Sequence, residues 1–255
     1  LVGIAIAEGH IAGLDQTLDA YFRAELGDDA GEKSGITVED LLTMQSGLAS
    51  TSNRNYGAWV LSPNWVQYAL DQPLEAPPGT RMGYSTGNTH LLSAIITRAT
   101  GRSTLEYARE VLAGPLGFPL PEWPRDPQGI YFGGNDMEMT PRQMLAFGEL
   151  YLNGGKAGDR QVVPPGWVEA SLRRHARSRR QHDRYYGYGW WIEQTAGYTT
   201  PYAWGYGGQF IVLVPDLGLV VVATSDSTPA NNRRSHRRRL HEMIERHIIR
   251  PAAEG

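Results

Sequence analysis

The hydrophobic period of the chain changes once, near residue 185, and that change does most to limit what it can fold into. Before it, apolar residues recur at helical spacing. The clearest case is Asn88 to Thr100, where Leu91, Leu92, Ile95, Ile96 and Ala99 fall on one stripe and Gly101 ends the run. After it, the pattern suits strands. Tyr186 to Glu193 is aromatic and strand-like, and Gln209 to Val214 and Leu219 to Thr224 are rich in β-branched residues. Pro215-Asp216-Leu217-Gly218 joins the last two with turn chemistry and predicts a hairpin. His236 to Ile249 closes the chain as a helix. Helices, then strands, then one helix read as an α+β fold. The boundary is expected at residue 184: a mainly helical lobe over 1–184, and strands with the C-terminal helix over 185–255, packed as one domain.

Punctuation within the helical part is explicit. Leu1 to Glu8 reads as a buried helix stopped by Gly9. Thr37-x-x-Asp40 opens a short helix through Met44, which ends near Ser46-Gly47. Residues 49–63 read as a surface loop, and Trp65 to Leu70 as helical. Ser103-x-x-Glu106 is a capping box for a helix that stops at Gly114-Pro115. Residues 114–135 carry five prolines and are expected to form a long ordered loop. Thr140-Pro141-x-Gln143 starts another helix, and Pro165 one more.

Composition narrows the function classes. A net charge of −3 gives no case for a nucleic-acid partner, and the absence of cysteine excludes disulfides and thiolate chemistry. No apolar run reaches the roughly 18 residues needed to span a bilayer. The chain opens on Leu1-Val2-Gly3-Ile4-Ala5-Ile6-Ala7, which reads as the middle of a buried helix. An N-terminal truncation is therefore expected, and the lack of a leader segment says nothing about compartment.

Two places invite chemistry. Pro78-Gly79-Thr80-Arg81-Met82-Gly83-Tyr84-Ser85-Thr86 is a turn that delivers Tyr84 to the mouth of a helix. A tyrosine held there can move protons if a neighbouring cation lowers its pKa from about 10. The plain alternative is a tyrosine packed under a turn. The second place is Trp204-Gly205-Tyr206-Gly207-Gly208-Gln209, entering a strand. Glycines at a strand edge admit a ligand to the backbone, whose N–H can hold an oxyanion. The plain alternative is a turn that needs positive φ. Ser46 lies in a helix-ending turn and not in a G-x-S-x-G elbow. The histidines show no metal-ligand spacing. Arg173, Arg174, Arg177, Arg179 and Arg180 read as a solvated loop, and Trp190-Trp191 as strand packing.

Taken in order, these segments resemble the serine β-lactamase-like and penicillin-binding-protein superfamily, near its branch of class C β-lactamases, esterases and D-alanyl-D-alanine peptidases. The resemblance rests on Leu1 to Asp15, Ile36 to Leu48, Pro78 to Gly101, Met139 to Arg142, Tyr186 to Trp191 and Gly205 to Pro215. It implies an antiparallel sheet flanked by helices plus a mainly helical lobe, with the opening strands and first helix lying upstream. It implies a serine hydrolase that needs no cofactor and no metal, acts on a small ester, amide or β-lactam, and leans to a periplasmic or secreted location. The first motif, S-x-x-K, is missing here: Ala30 and Asn153 stand three residues before Lys33 and Lys156, the only lysines. The resemblance places it upstream of Leu1, so that these residues alone are expected to be inactive.

The second motif, Y-x-N, maps onto Tyr84, Ser85 and Thr86; Thr86 departs from the asparagine, and Asn88 follows two residues later. The third, K-T-G or H-x-G, maps onto Tyr206, Gly207 and Gly208, with Gln209 supplying an oxyanion N–H. Without a fixed cation there, the motif suits neutral esters or amides better than a carboxylate-bearing penicillin. The rival readings are a β-lactamase or D-Ala-D-Ala carboxypeptidase, and a non-catalytic binding module on the same scaffold.

Overall fold

The computed structural model describes residues 1–179, 183–228 and 233–254, without the side chains of 233 and 234. In chain order the first helices are α1 (Val2–Ala7), α2 (Asp19–Leu26), α3 (Val38–Leu42), α4 (Tyr56–Val60), α5 (Trp65–Asp71), α6 (Thr86–Thr100) and α7 (Thr104–Ala108). Then come α8 (Pro141–Leu152), α9 (Pro165–Ser171), α10 (Arg233–Ile244) and α11 (Arg250–Glu254). The strands are β1 (Lys156–Ala157), β2 (Arg160–Gln161), β3 (Ala176–Arg177), β4 (Tyr185–Tyr186), β5 (Trp191–Thr195), β6 (Tyr198–Gly205), β7 (Gln209–Val214) and β8 (Leu219–Ala223). The α+β reading holds. Among the described residues no helix is long and apolar enough to cross a membrane.

The chain divides into two units, Leu1–Glu138 with His175–Arg180, and Met139–Arg174 with Gln181–Gly255. That differs from a boundary at residue 184, because α8 and α9 fall with the strands. The reason lies in packing that no local period reveals. Gly148 lets α8 lie close on β7 and β8; a Cβ there would come 2.5 Å from Val220 Cγ1 and 2.9 Å from Ile211 Cγ2. Met144, Phe147 and Tyr151 of α8 pack on Trp190, Ile211 and Leu213. Arg180 of the basic run lies outside the described residues.

In the first unit α6 is the central element. Leu91, Leu92, Ala94, Ile95 and Ile96 are buried, whereas Ala99 is only half-buried. The helix begins two residues before Asn88. Ser103 closes the expected capping box with Glu106, and the helix start expected at Thr37 is also a full capping box, with Asp40. Residues 49–63 are not a surface loop throughout. Trp59 in α4 is fully buried and donates its indole N–H to the Trp65 carbonyl at 2.9 Å. A single buried aromatic in a polar stretch carries no period to read.

The proline-rich loop after α7 is tied to α6. His90 Nε2 meets Asp126 Oδ2 at 3.0 Å with both side chains fully buried, and Asp126 Oδ1 accepts the N–H groups of Gln128 and Ile130. Ser93 donates to the Tyr131 carbonyl at 2.7 Å. Gly133 passes so near α6 that a Cβ would lie 1.9 Å from the Thr89 carbonyl. Buried charge tolerates little, so His90 and Asp126 need each other.

In the second unit β4 to β8 run as consecutive antiparallel neighbours. The longest strand, β6, was not expected from sequence. Pro201 sits inside it opposite Ile192, and proline normally argues against a ladder strand. The hairpin of β7 and β8 forms as expected, with Val214 opposite Leu219 and Gly218 left-handed at φ 59°. Helix α10 is pinned to β5 through Glu193. One carboxylate oxygen accepts from Arg184 at 2.8 and 3.0 Å, and the other faces His241 Nδ1 at 3.3 Å.

Candidate active site

Tyr84 lies in the first unit, in the irregular stretch just before α6. Its backbone is clamped on three sides. The Gly83 N–H donates to the Met44 carbonyl at 2.7 Å, the Ser85 N–H points at the Met44 sulfur at 3.5 Å, and Ser50 Oγ donates to the Tyr84 carbonyl at 2.7 Å. Gly79 and Gln45 add a reciprocal pair, each accepting from the other at 2.9 Å. The turn is therefore fixed against the 44–50 segment. Tyr84 as a whole residue is 41% exposed. Desolvation by burial raises its phenol above the ordinary tyrosine value. The lowered value that a phenolate base needs does not arise within these residues; it requires a cation from elsewhere.

Ser85, Thr86 and Asn88 are buried, and their polar atoms hold the loop before α4. Thr51 donates its N–H to Ser85 Oγ at 3.1 Å. Ser52 Oγ accepts the Thr86 N–H at 2.8 Å, and Thr51 Oγ1 accepts the Gly87 N–H at 2.8 Å. These hydroxyls cap α6 from another segment, so the first helical N–H groups are already used. Ser46 is buried and donates to Asn88 Oδ1 at 3.0 Å, which fits a structural role. Asn88 Nδ2 is buried without a hydrogen-bond partner among the described residues. Sequence reading missed Met44, Ser50, Thr51 and Ser52 as the parts that set Tyr84, because no motif marks them.

Tyr206, Gly207 and Gly208 lie in the second unit, in the turn from β6 to β7, and Gln209 is the first residue of β7. Here the strand-edge picture needs correction. β7 has β6 on one side and β8 on the other, so Gln209 opens an interior strand and is paired with Gly205. Gly207 and Gly208 have φ 87° and 109°, and their Cβ positions are occupied by the chain itself. A Cβ on Gly207 would lie 2.7 Å from Ser227 Cα, and one on Gly208 would lie 2.9 Å from Leu240 Cδ1. Turn geometry and close packing account for both glycines. The Gln209 side chain clasps the Ser225 backbone, accepting its N–H at 3.1 Å and donating to its carbonyl at 2.6 Å. The Gln209 side chain is thus committed to the Ser225 backbone. Tyr206 stands 61% exposed at the turn. Among the described residues no group of His, Asp or Glu is placed to hold a metal ion.

The Beta-lactamase family model matches residues 1–243. No curated protein sequence matches. Solved structures similar to the chain include a provisionally named 6-aminohexanoate-dimer hydrolase from Bacillus anthracis, at 23% identity and TM-score 0.80, with 98% of this chain and 70% of that one covered. Another is EstCE1, described as a hydrolase with promiscuous acyltransferase activity, at 20% identity and TM-score 0.73, covering 98% and 80%. A third is a D-stereospecific amidohydrolase from a Streptomyces species, at 17% and 0.71, covering 96% and 82%. At these identities the likeness is one of fold.

Proposed function

Because the chain belongs to the Beta-lactamase family, a family of serine hydrolases, we propose that it forms most of an enzyme that cleaves a small ester or amide through an acyl-enzyme. The nucleophilic serine and its lysine are assigned to sequence upstream of Leu1, since neither lysine here has a serine three residues before it. The observation that carries the reading is the backbone clamp on Tyr84, which holds this partly exposed residue at a fixed point ahead of α6. In this mechanism the serine attacks the carbonyl carbon while Tyr84 and the lysine move its proton to the leaving group. The Gln209 and serine N–H groups hold the oxyanion, and water then releases the acyl group.

Esters and amides are preferred to β-lactams for two reasons. Thr86 replaces the asparagine of the second motif, and Tyr206 replaces the lysine of the third. The printed names of the structural relatives, a dimer hydrolase, an acyltransferring hydrolase and an amidohydrolase, lie on the same side. The absence of S-x-x-K in these residues favours one second reading, a binding module without catalysis.

A fluorophosphonate probe and p-nitrophenyl butyrate test the proposal on the polypeptide extended through its upstream coding sequence. Covalent labelling and a burst of nitrophenol are expected, and Tyr84→Phe should lower kcat/KM by about 10²-fold or more. Unchanged turnover in that variant removes Tyr84 from the mechanism. No labelling at all turns the reading toward the binder, and nitrocefin hydrolysis turns it toward a β-lactamase.

A further inference from the structure

The second unit holds a serine and a histidine in direct contact, away from Tyr84. Ser225 stands just past the end of β8, and its Oγ lies 2.9 Å from Nε2 of His236 on α10. His10, His90, His175 and His241 each face a carboxylate. His236 faces a hydroxyl instead, and an imidazole within hydrogen-bond reach of a hydroxyl pairs a base with a nucleophile.

Both partners are held in place. The Gln209 side chain accepts the Ser225 N–H at 3.1 Å and donates to its carbonyl at 2.6 Å, which fixes the serine's backbone. Further along α10, His241 meets Glu193 of β5 and fastens the helix that carries His236. The pair is half-buried, and Gly208 has no side chain to cover it. A Cβ there would stand 3.1 Å from Ser225 Oγ and 3.3 Å from His236 Nε2. The hydrogen bond is already within the reach that proton transfer needs, so neither partner has to move to make it.

We propose that Ser225, with His236 as its base, is a second nucleophile of this chain, one that takes the acyl group of small activated esters. With the ring proton on Nδ1, His236 Nε2 accepts the Ser225 hydroxyl proton as Oγ bonds to the carbonyl carbon. The ester C–O bond then breaks, and the proton passes from Nε2 to the departing alkoxide. Acyl-Ser225 and an alcohol result. Water, deprotonated by the same imidazole, then attacks the acyl carbon, and the serine leaves with the proton as the acid is released. This site lies wholly within the second unit and needs neither Tyr84 nor a serine upstream of Leu1.

A fluorophosphonate, which captures such a serine by the same attack with loss of fluoride, tests it on the full-length polypeptide. Tandem mass spectrometry of the digest should place label on Ser225 in the native protein and none there in the urea-unfolded chain. His236→Gln keeps a polar side chain beside Ser225 but no base, and should slow labelling of Ser225 by about 10²-fold. Mapping the wild type decides the question even if that variant does not fold. An unlabelled Ser225, equal labelling when unfolded, or an undiminished rate in a folded His236→Gln variant would overturn the proposal. Label on an upstream serine but not on Ser225 would keep the hydrolase reading and lose this site. Label on Ser225 but not upstream would do the reverse.

Discussion

Met44 shows how a single residue sets the candidate site. It holds a left-handed backbone, φ 60°, which costs a non-glycine residue on the order of 1 kcal/mol or more. The strained turn presents its carbonyl and its sulfur to the N–H groups on either side of Tyr84, and its side chain is buried. Glycines make the opposite argument, since a missing Cβ matters only where something stands in its place. Gly148→Ala would drive a methyl into Val220 and Ile211 and should lower unfolding free energy by about 1 to 3 kcal/mol. Gly57→Ala, inside α4 with open space at its Cβ, should raise it by about 0.5 to 1 kcal/mol. Urea titration of both variants checks the pair, and equal effects would contradict the packing of α8 on the sheet.

Among elements, α6 depends on hydroxyls that come from 34 to 36 residues earlier in the chain. A helix with no cap of its own starts where another segment satisfies its first N–H groups. Ser52→Ala would leave the buried Thr86 N–H without an acceptor, at a cost of roughly 1 to 3 kcal/mol. Thr51→Val should behave alike through Gly87. Both changes should also loosen Tyr84, seen as faster amide exchange at Gly83 and Ser85 than at the α8 core. Exchange that is unchanged in both variants would separate the cap from the clamp. The helix-start boxes at Thr37, Ser103 and Thr140 were legible because cap and partner lie within four residues. The α6 cap was not, because its two halves share no local pattern.

At the scale of the molecule, Glu193 fastens α10 to the sheet of the second unit. Desolvation pushes its carboxyl up, but His241 and Arg184 more than offset this, and the net shift is below the ordinary glutamate value. A depressed pKa means that the unfolded chain binds the proton more readily. The contribution is complete above the unfolded value, near pH 4.5, and is lost as pH falls through the lower folded value. Stability of the unit should therefore drop on the acid side. Glu193→Gln should flatten that part of the profile, read by thermal melts from pH 6 to pH 3. An unchanged acid branch would place the dependence in other carboxylates.

The sequence by itself determined the α+β class, the capped helices, the β7–β8 hairpin and the presence of Tyr84 at a helix mouth, because each is written within a few neighbouring residues. Only the tertiary structure decided that α8 belongs with the strands, that Pro201 lies inside the longest one, and that Trp59 is core. The same holds for the pairing of Ser225 with His236. Burial and pairing between distant segments depend on what faces what across the fold, and a linear pattern records only one side of each such contact.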